Sequence, residues 1–180
     1  ETVPLEAESL VAFATSPAGD RLAWIPSGEP VPRLMIADLE GNRRTTVLDG
    51  VAEVRQIGWL DPTTVAILTG DGRLLASGAD GTVDERGRLD GAVAFGAAAD
   101  GDRVALVGRD ALLLIGPQRA ETRIDGLEIG PVTPGGESPE SRLRWNEATA
   151  SWWIVTSTGG LLELPGNPLE AARQAASRLR

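Results

Sequence analysis

Four stretches decide the fold when laid over one another: VAFATSPAGDRLAWIPSG at residues 11–28, VRQIGWLDPTTVAILTGDG at 54–72, AVAFGAAADGDRVALVGRD at 92–110, and RLRWNEATASWWIVTSTGG at 142–160. Each reads as a short β-prone run, then a turn rich in Asp, Pro, Gly or Asn, then an apolar strand ending on a small residue. With Leu22, Val65, Val104 and Trp152 as equivalent positions, the repeats step by 43, 39 and 48 residues. That is the length of one four-stranded blade, and a sandwich has no reason to repeat its own sequence at such a period. A chain of 180 residues holds about four such steps. One blade cannot cover both of its faces, so blades stack face to face around an axis, which also protects strand edges.

The punctuation agrees. Asp-Gly pairs begin at Asp49, Asp71, Asp80, Asp90, Asp100 and Asp125. This dipeptide suits tight hairpins, because glycine accepts positive φ without steric cost. β-prone runs lie between the turns at 10–14, 21–25, 33–38, 45–48, 65–69, 104–108, 111–115 and 152–156. Short strands at regular spacing predict an all-β fold. We expect a small propeller of about four blades, or a partial propeller, over residues 1–167. The fourth blade is short of outer strands, and Thr2–Glu6 alternates weakly enough to supply one and lock the ring. An open arc, or a ring completed by two chains, satisfies the same pattern.

Residues 168–180 predict a short C-terminal helix. Asn167 suits the N-cap, Pro168 the first helical position, and Glu170 completes a capping box. Leu169, Ala172, Ala176 and Leu179 share one face at helical spacing, and Arg178 and Arg180 suit the negative end of the helix dipole. A helix this short needs a surface to dock on, either the propeller itself or a partner.

Within the first repeat, ATSPAGDRLAWIPSG and RLMIADLEG, between residues 14 and 41, resemble the blade of TolB-type propellers, whose pattern is roughly F-S-P-D-G-x-x-x-A-F…I-x-x-x-D-x-x-G. Ser16, Pro17, Gly19, Ala23 and Trp24 match, then Ile36, Asp38 and Gly41. The third repeat keeps Asp100, Gly101 and Ala105, and the second and fourth match only in hydrophobic outline. The resemblance implies a scaffold found in periplasmic and secreted binding proteins and in the gating domains of prolyl-oligopeptidase-like enzymes. It implies no chemistry of its own.

Composition narrows the function. The chain carries 17 basic residues, all arginine, against 26 acids, for a net charge of −9. An acidic chain is a poor partner for nucleic acid, whose binding rests on phosphate neutralisation. An arginine-only basic set fits a GC-rich genome, since lysine codons are A-rich. Histidine and cysteine are absent. That excludes thiol nucleophiles, His-based triads, the usual zinc sites and disulfides, and leaves the redox compartment unreadable. No apolar run approaches the roughly 20 residues that span a bilayer, so direct membrane insertion is not expected. No stretch reads as a signal peptide, and an opening on Glu1 rather than Met suggests a processed or truncated product.

Motifs for catalysis are missing too. ASGADG around Ser77 and GGESPE around Ser138 both fail G-x-S-x-G. TGDGRLLASGADG has glycines but lacks the strand–loop–helix setting and the Lys-Ser/Thr of a phosphate loop. Asp80, Asp84, Glu85 and Asp90 crowd a glycine-rich stretch without EF-hand spacing, which reads as a solvated hairpin tip rather than a calcium loop. We therefore expect no enzyme, no cofactor and no resident metal.

Tryptophan is the surplus: five, against two Phe and no Tyr. Trp24, Trp59 and Trp145 sit in or beside repeat strands, where core packing explains them. Trp152 and Trp153 are consecutive, so they point to opposite faces of a strand. Both serve as inter-blade core if both faces are covered; otherwise one lies at a surface, where Trp anchors interfaces. The Pro- and Gly-rich stretch 128–140, EIGPVTPGGESPE, precedes them, and loops of this kind carry binding. The candidate partner-binding residues are Trp152, Trp153, Arg142, Arg144 and Glu137. SGEPVP at 27–32 is a second candidate loop. The expected function is a non-catalytic protein-interaction module, extracytoplasmic by the resemblance. The alternatives are a small-ligand or glycan sensor, and an accessory propeller of an enzyme whose catalytic domain lies elsewhere.

Overall fold

The computed structural model describes residues 9–127, 143–156 and 160–178. They form antiparallel meanders, one per repeat. The first blade runs β1 (Leu10–Thr15), β2 (Arg21–Pro26), β3 (Arg33–Asp38) and β4 (Arg43–Val47) in spatial order. The second runs β5 (Val54–Trp59), β6 (Val65–Thr69), β7 (Arg73–Ser77) and β8 (Val83–Arg88). The third runs β9 (Ala94–Ala97), β10 (Val104–Val107), β11 (Ala111–Ile115) and β12 (Glu121–Asp125). The fourth has three strands among the described residues: β13 (Leu143–Asn146), β14 (Ser151–Val155) and β15 (Leu161–Pro165). A single helix, α1 (Pro168–Arg178), follows. The fold is therefore all-β, with propeller-type blades and a C-terminal helix. Leu22, Val65, Val104 and Trp152 each fall in the second strand of their blade. The stretch Thr2–Glu6, expected to complete the fourth blade, lies outside the described residues.

The turns are built locally. At the β1–β2 turn, Ser16 Oγ donates to Asp20 Oδ1 at 2.7 Å and accepts from the Arg21 backbone N–H at 3.1 Å. Gly19 stands there at φ +72°. The Ser-Pro-x-Gly-Asp string thus closes its own turn. Every Asp-Gly glycine has positive φ, as expected. Their placement differs from expectation. Gly72, Gly81 and Gly101 lie in hairpins, but Gly50, Gly91 and Gly126 follow the outermost strands β4, β8 and β12. There the chain must reverse toward the next blade. In the first two of these links a turn closes from Val51 N to Leu48 O and from Ala92 N to Leu89 O. The flanking apolar residues Leu48, Val51, Leu89 and Ala92 are all buried.

The chain divides into two compact units, residues 1–86 and 87–180. In the first, one face of the first blade packs on the second through Ala23, Ile25, Leu34, Ile57, Val65 and Ile67. Trp59 is half-buried against this core, and its indole N–H donates to Ala14 O at 3.2 Å. In the second unit, Ala105, Leu112 and Leu114 pack against Trp152, Ile154 and Leu164. The helix joins that core and packs on β12 and β15.

Asn167 caps α1 as expected, its Oδ1 accepting from the Leu169 and Glu170 backbone N–H groups at 3.0 and 3.3 Å. The buried stripe is not the expected one. Ala171 and Ala175 are buried, with Ala172 against them, whereas Leu169 is 67% exposed and Ala176 is exposed. Close approach of the helix to the sheet favours the small side chains over the large one, so methyl groups rather than Leu169 make the contact, and Leu179 lies outside the described residues.

Candidate functional site

The fourth blade shows the two-faced alternation of a strand with one side open. Trp145, Trp152 and Leu164 stand opposite one another across β13, β14 and β15. So do Arg144, Trp153 and Glu163 one position along, on the opposite face. The first row belongs to the core. Trp152 is 1% exposed and meets Trp145 edge-to-face, with ring centroids 5.0 Å apart at 63°. The Arg103 guanidinium lies over the Trp145 ring at 5.5 Å. Gly166 sits against that ring, and a Cβ there would meet its edge at 2.3 Å. The folded chain therefore removes Trp152 from the candidate surface: it holds the third and fourth blades together.

The second row faces outward. Trp153 is 38% exposed, between Arg144 and Glu163, which are both exposed. Leu161, 61% exposed and opposite Val155, extends the apolar part of this face. Glu163 is held in place: Ser151 Oγ donates to its Oε1 at 2.7 Å, and Thr149 and Ser151 share a hydroxyl contact of 2.6 Å. Gln174 from α1 donates to the Glu163 backbone carbonyl at 2.9 Å. A polar hollow of about 490 Å³ opens beside these groups, bounded by Ser151, Glu163, Asn167 and Gln174. Arg142 and Glu137, and the stretch 128–140, lie outside the described residues. Of the expected residues, the structure brings Trp153 and Arg144 onto one face. Glu163 was missed, although the alternation of Leu161–Leu164 with buried leucines at 162 and 164 carried the signal.

The other candidates resolve as follows. The 27–32 loop borders a hollow of about 200 Å³ in the first unit, with Val11, Ile25 and Glu53. In the acidic stretch, Asp80 Oδ1 accepts from the Thr82 backbone N–H and hydroxyl at 3.0 and 2.7 Å. Arg88 pairs with Asp90 at 3.1 Å. Asp84 and Glu85 lie on β8, and no group of three or more metal-ligating side chains gathers among the described residues. No helix among them is long and apolar enough to cross a membrane.

No protein-family model matches the chain, and no curated protein matches it in sequence. Solved structures do match in fold. PorZ, a bacterial surface component of the type-IX secretion system of Porphyromonas gingivalis, superposes with a TM-score of 0.55 at 16% identity, over 92% of this chain and 21% of PorZ. A chain of the nidogen/laminin complex gives 0.56 at 16% identity, over 87% of this chain and 63% of that one. YCF48 from Cyanidioschyzon merolae gives 0.54 at 17% identity, over 86% and 51%. All three are β-propeller-type proteins, which supports the propeller repeat. The chain spans less than two thirds of the length of each.

Proposed function

We propose that this chain is a non-catalytic protein-interaction module on a propeller scaffold, working outside the cytoplasm, and that the open face of the fourth blade receives the partner. One observation carries the reading: a half-exposed tryptophan, Trp153, set in register between an arginine and a glutamate on a rigid sheet. Buried aromatic anchors with charged neighbours are what interface hot spots are made of. Arg144 and Glu163 offer a partner charges of both signs, so the complementary surface has an apolar pocket flanked by an acid and a base. The chain has no histidine, lysine or cysteine, so it carries no imidazole, amine side chain or thiolate of the common catalytic constellations, which is in keeping with a binding role. The Ser16–Asp20 turn and the Ile36, Asp38 and Gly41 matches support placing the first blade with TolB-type repeats. The surface location named for PorZ is in keeping with an extracytoplasmic role.

The test is retention of a protein from the envelope fraction of the source cell by the wild-type chain and by Trp153→Ala, with Trp153→Phe as a conservative control. Specific retention that Trp153→Ala loses while keeping its melting transition supports the proposal. Retention unchanged by Trp153→Ala refutes this face. The half-exposed indole also suits stacking on a sugar ring. A saturable change in tryptophan fluorescence across a glycan panel, absent in Trp153→Phe, would favour that second reading.

A further inference from the structure

The first unit holds a second feature, independent of the Trp153 face. Three arginines, Arg21, Arg43 and Arg44, line one cleft of about 180 Å³ at the turn end of the first two blades. Such a gathering stands out on a chain of net charge −9. Two of the three are pinned across the blades. Arg21 Nη1 donates to Pro62 O in the β5–β6 turn at 3.1 Å, and Arg44 Nη1 donates to Gly78 O after β7. Each bond occupies one donor of a fork that has five, and neither guanidinium has a carboxylate within ion-pair distance among the described residues. The acid in the cleft is Asp38, which stands opposite Arg21 across β2 and β3 and is held by Asn42. Its Oδ1 accepts from the Asn42 backbone N–H at 2.9 Å and its Oδ2 from Asn42 Nδ2 at 2.8 Å. The turns that carry the carbonyls are rigid in their own right. Asp61 Oδ1 accepts from Thr63 N at 2.7 Å and Thr64 N at 2.9 Å, and Gly81 N closes on Gly78 O at 3.1 Å. Trp59 and Ile36 give the cleft its apolar lining.

We propose that this cleft binds a small organic anion, with a carboxylate or phosphate head on the arginines and a stem no larger than one ring against Trp59 and Ile36. Arginine forks match both head groups, and charge-assisted bonds to them are about twice as strong as neutral ones. Pinning removes much of the side-chain entropy that binding otherwise costs. Size sets how much of the ligand is covered: a cavity of about 150 Å³ takes one benzene, so the cleft of about 180 Å³ has room for the head group and one ring.

The experiment is a ¹H–¹⁵N titration of the whole chain at constant ionic strength, with the Trp59 indole N–H as reporter, assigned through Trp59→Phe. The probes are benzoate, phenyl phosphate and neutral benzyl alcohol. A saturable Trp59 shift is expected with an anion in the millimolar range and not with benzyl alcohol. Response to benzoate alone identifies a carboxylate ligand, to phenyl phosphate alone a phosphate ligand, and to both the shared oxyanion site. Arg21→Gln with Arg44→Gln weakens binding at least about tenfold, the scale of a single lost charge-assisted bond. Because those arginines also link the blades, Ala79→Glu is the second variant. Ala79 is exposed and borders the cleft, so its glutamate competes for the arginines without touching the core. Loss of the anion response in Ala79→Glu with an unchanged melting temperature supports the site. No saturable shift with either anion, an equal shift with benzyl alcohol, or a response surviving Ala79→Glu overturns it.

Discussion

Replacing each of two adjacent tryptophans by alanine should have unequal effects. Trp152 is 1% exposed, packs in the core of the second unit and pairs edge-to-face with Trp145 at 5.0 Å. Truncating a buried Trp to Ala costs about 3–5 kcal/mol in lost transfer energy and residual cavity. The aromatic pair is worth about 0.5–1.5 kcal/mol beyond burial, which puts Trp152→Ala toward the upper end. Trp153 is 38% exposed and opens to solvent, so its removal leaves no enclosed cavity. At about 25 cal/mol per Å² over the portion withdrawn from water, Trp153→Ala costs about 2–3 kcal/mol. For a chain of this size 1 kcal/mol moves the midpoint by about 2–4 °C. Trp152→Ala then lowers Tm by about 6–20 °C and Trp153→Ala by about 4–12 °C. Thermal unfolding followed by far-ultraviolet circular dichroism reads both, with the wild type beside them. Equal losses, or a Trp152→Ala midpoint within about 2 °C of wild type, would refute the assignment of the two faces.

Gly166→Ala should destabilise by about 1–3 kcal/mol, because its Cβ meets the Trp145 ring at 2.3 Å and Ala150 O at 2.7 Å; a urea midpoint at or above wild type would contradict this packing. Asn167→Ala should cost about 1 kcal/mol and speed hydrogen exchange at the Leu169 and Glu170 amides, which its side chain caps; unchanged protection there counts against the cap. Burial pushes the Asp61 carboxyl up, but hydrogen bonds from Thr63 and Thr64 outweigh it and hold its pKa below the ordinary carboxylate value. A lowered folded-state pKa means stability present above the unfolded value and lost as pH falls through the folded one, so urea stability should decline below about pH 4. Asp61→Asn should flatten that decline, and an unaltered slope would show that the turn contributes nothing to it.

What could be read from the chain was what local physics determines. The second strands were legible because apolar β-formers such as VAILT at 65–69 follow turn residues at a regular step. The helix cap was legible because Asn167, Pro168 and Glu170 act within one turn. The helix face was not, because the choice between Leu169 and Ala171 depends on how closely the sheet approaches. Outer strand β8, VDERGR, shows no apolar alternation, since most of its side chains face solvent and only the backbone ladder specifies it. One signal was present and unread. Leu48-Asp49-Gly50-Val51, Leu89-Asp90-Gly91-Ala92 and Ile124-Asp125-Gly126-Leu127 form a second repeat, with buried apolar residues around each glycine. They mark the chain leaving an outer strand, not a hairpin. The arginine cleft was unreadable for another reason: Arg21 and Arg44 lie on separate strands of the first blade and Trp59 on the second, and they meet only through tertiary structure.

Burial on one or both faces of a strand separates binding candidates from core. Strands β6, β10 and β11 are buried at every position, so their consecutive apolar residues are spoken for on both faces. Strand β1 alternates instead, leaving Val11 50% and Phe13 66% exposed, and in β14 Trp153 is exposed between buried Trp152 and Ile154. Composition alone makes Trp152 and Trp153 equivalent, and a two-residue period says only that they differ. Which of them is open to a partner is decided by what covers each face: Ala105, Leu112 and Leu114 of the third blade cover Trp152, while Trp153 keeps a solvent-facing edge between the exposed Arg144 and Glu163. An anchor needs that combination, an apolar body held rigidly by its sheet and a surface still free to be desolvated, and only the second tryptophan of the pair has both.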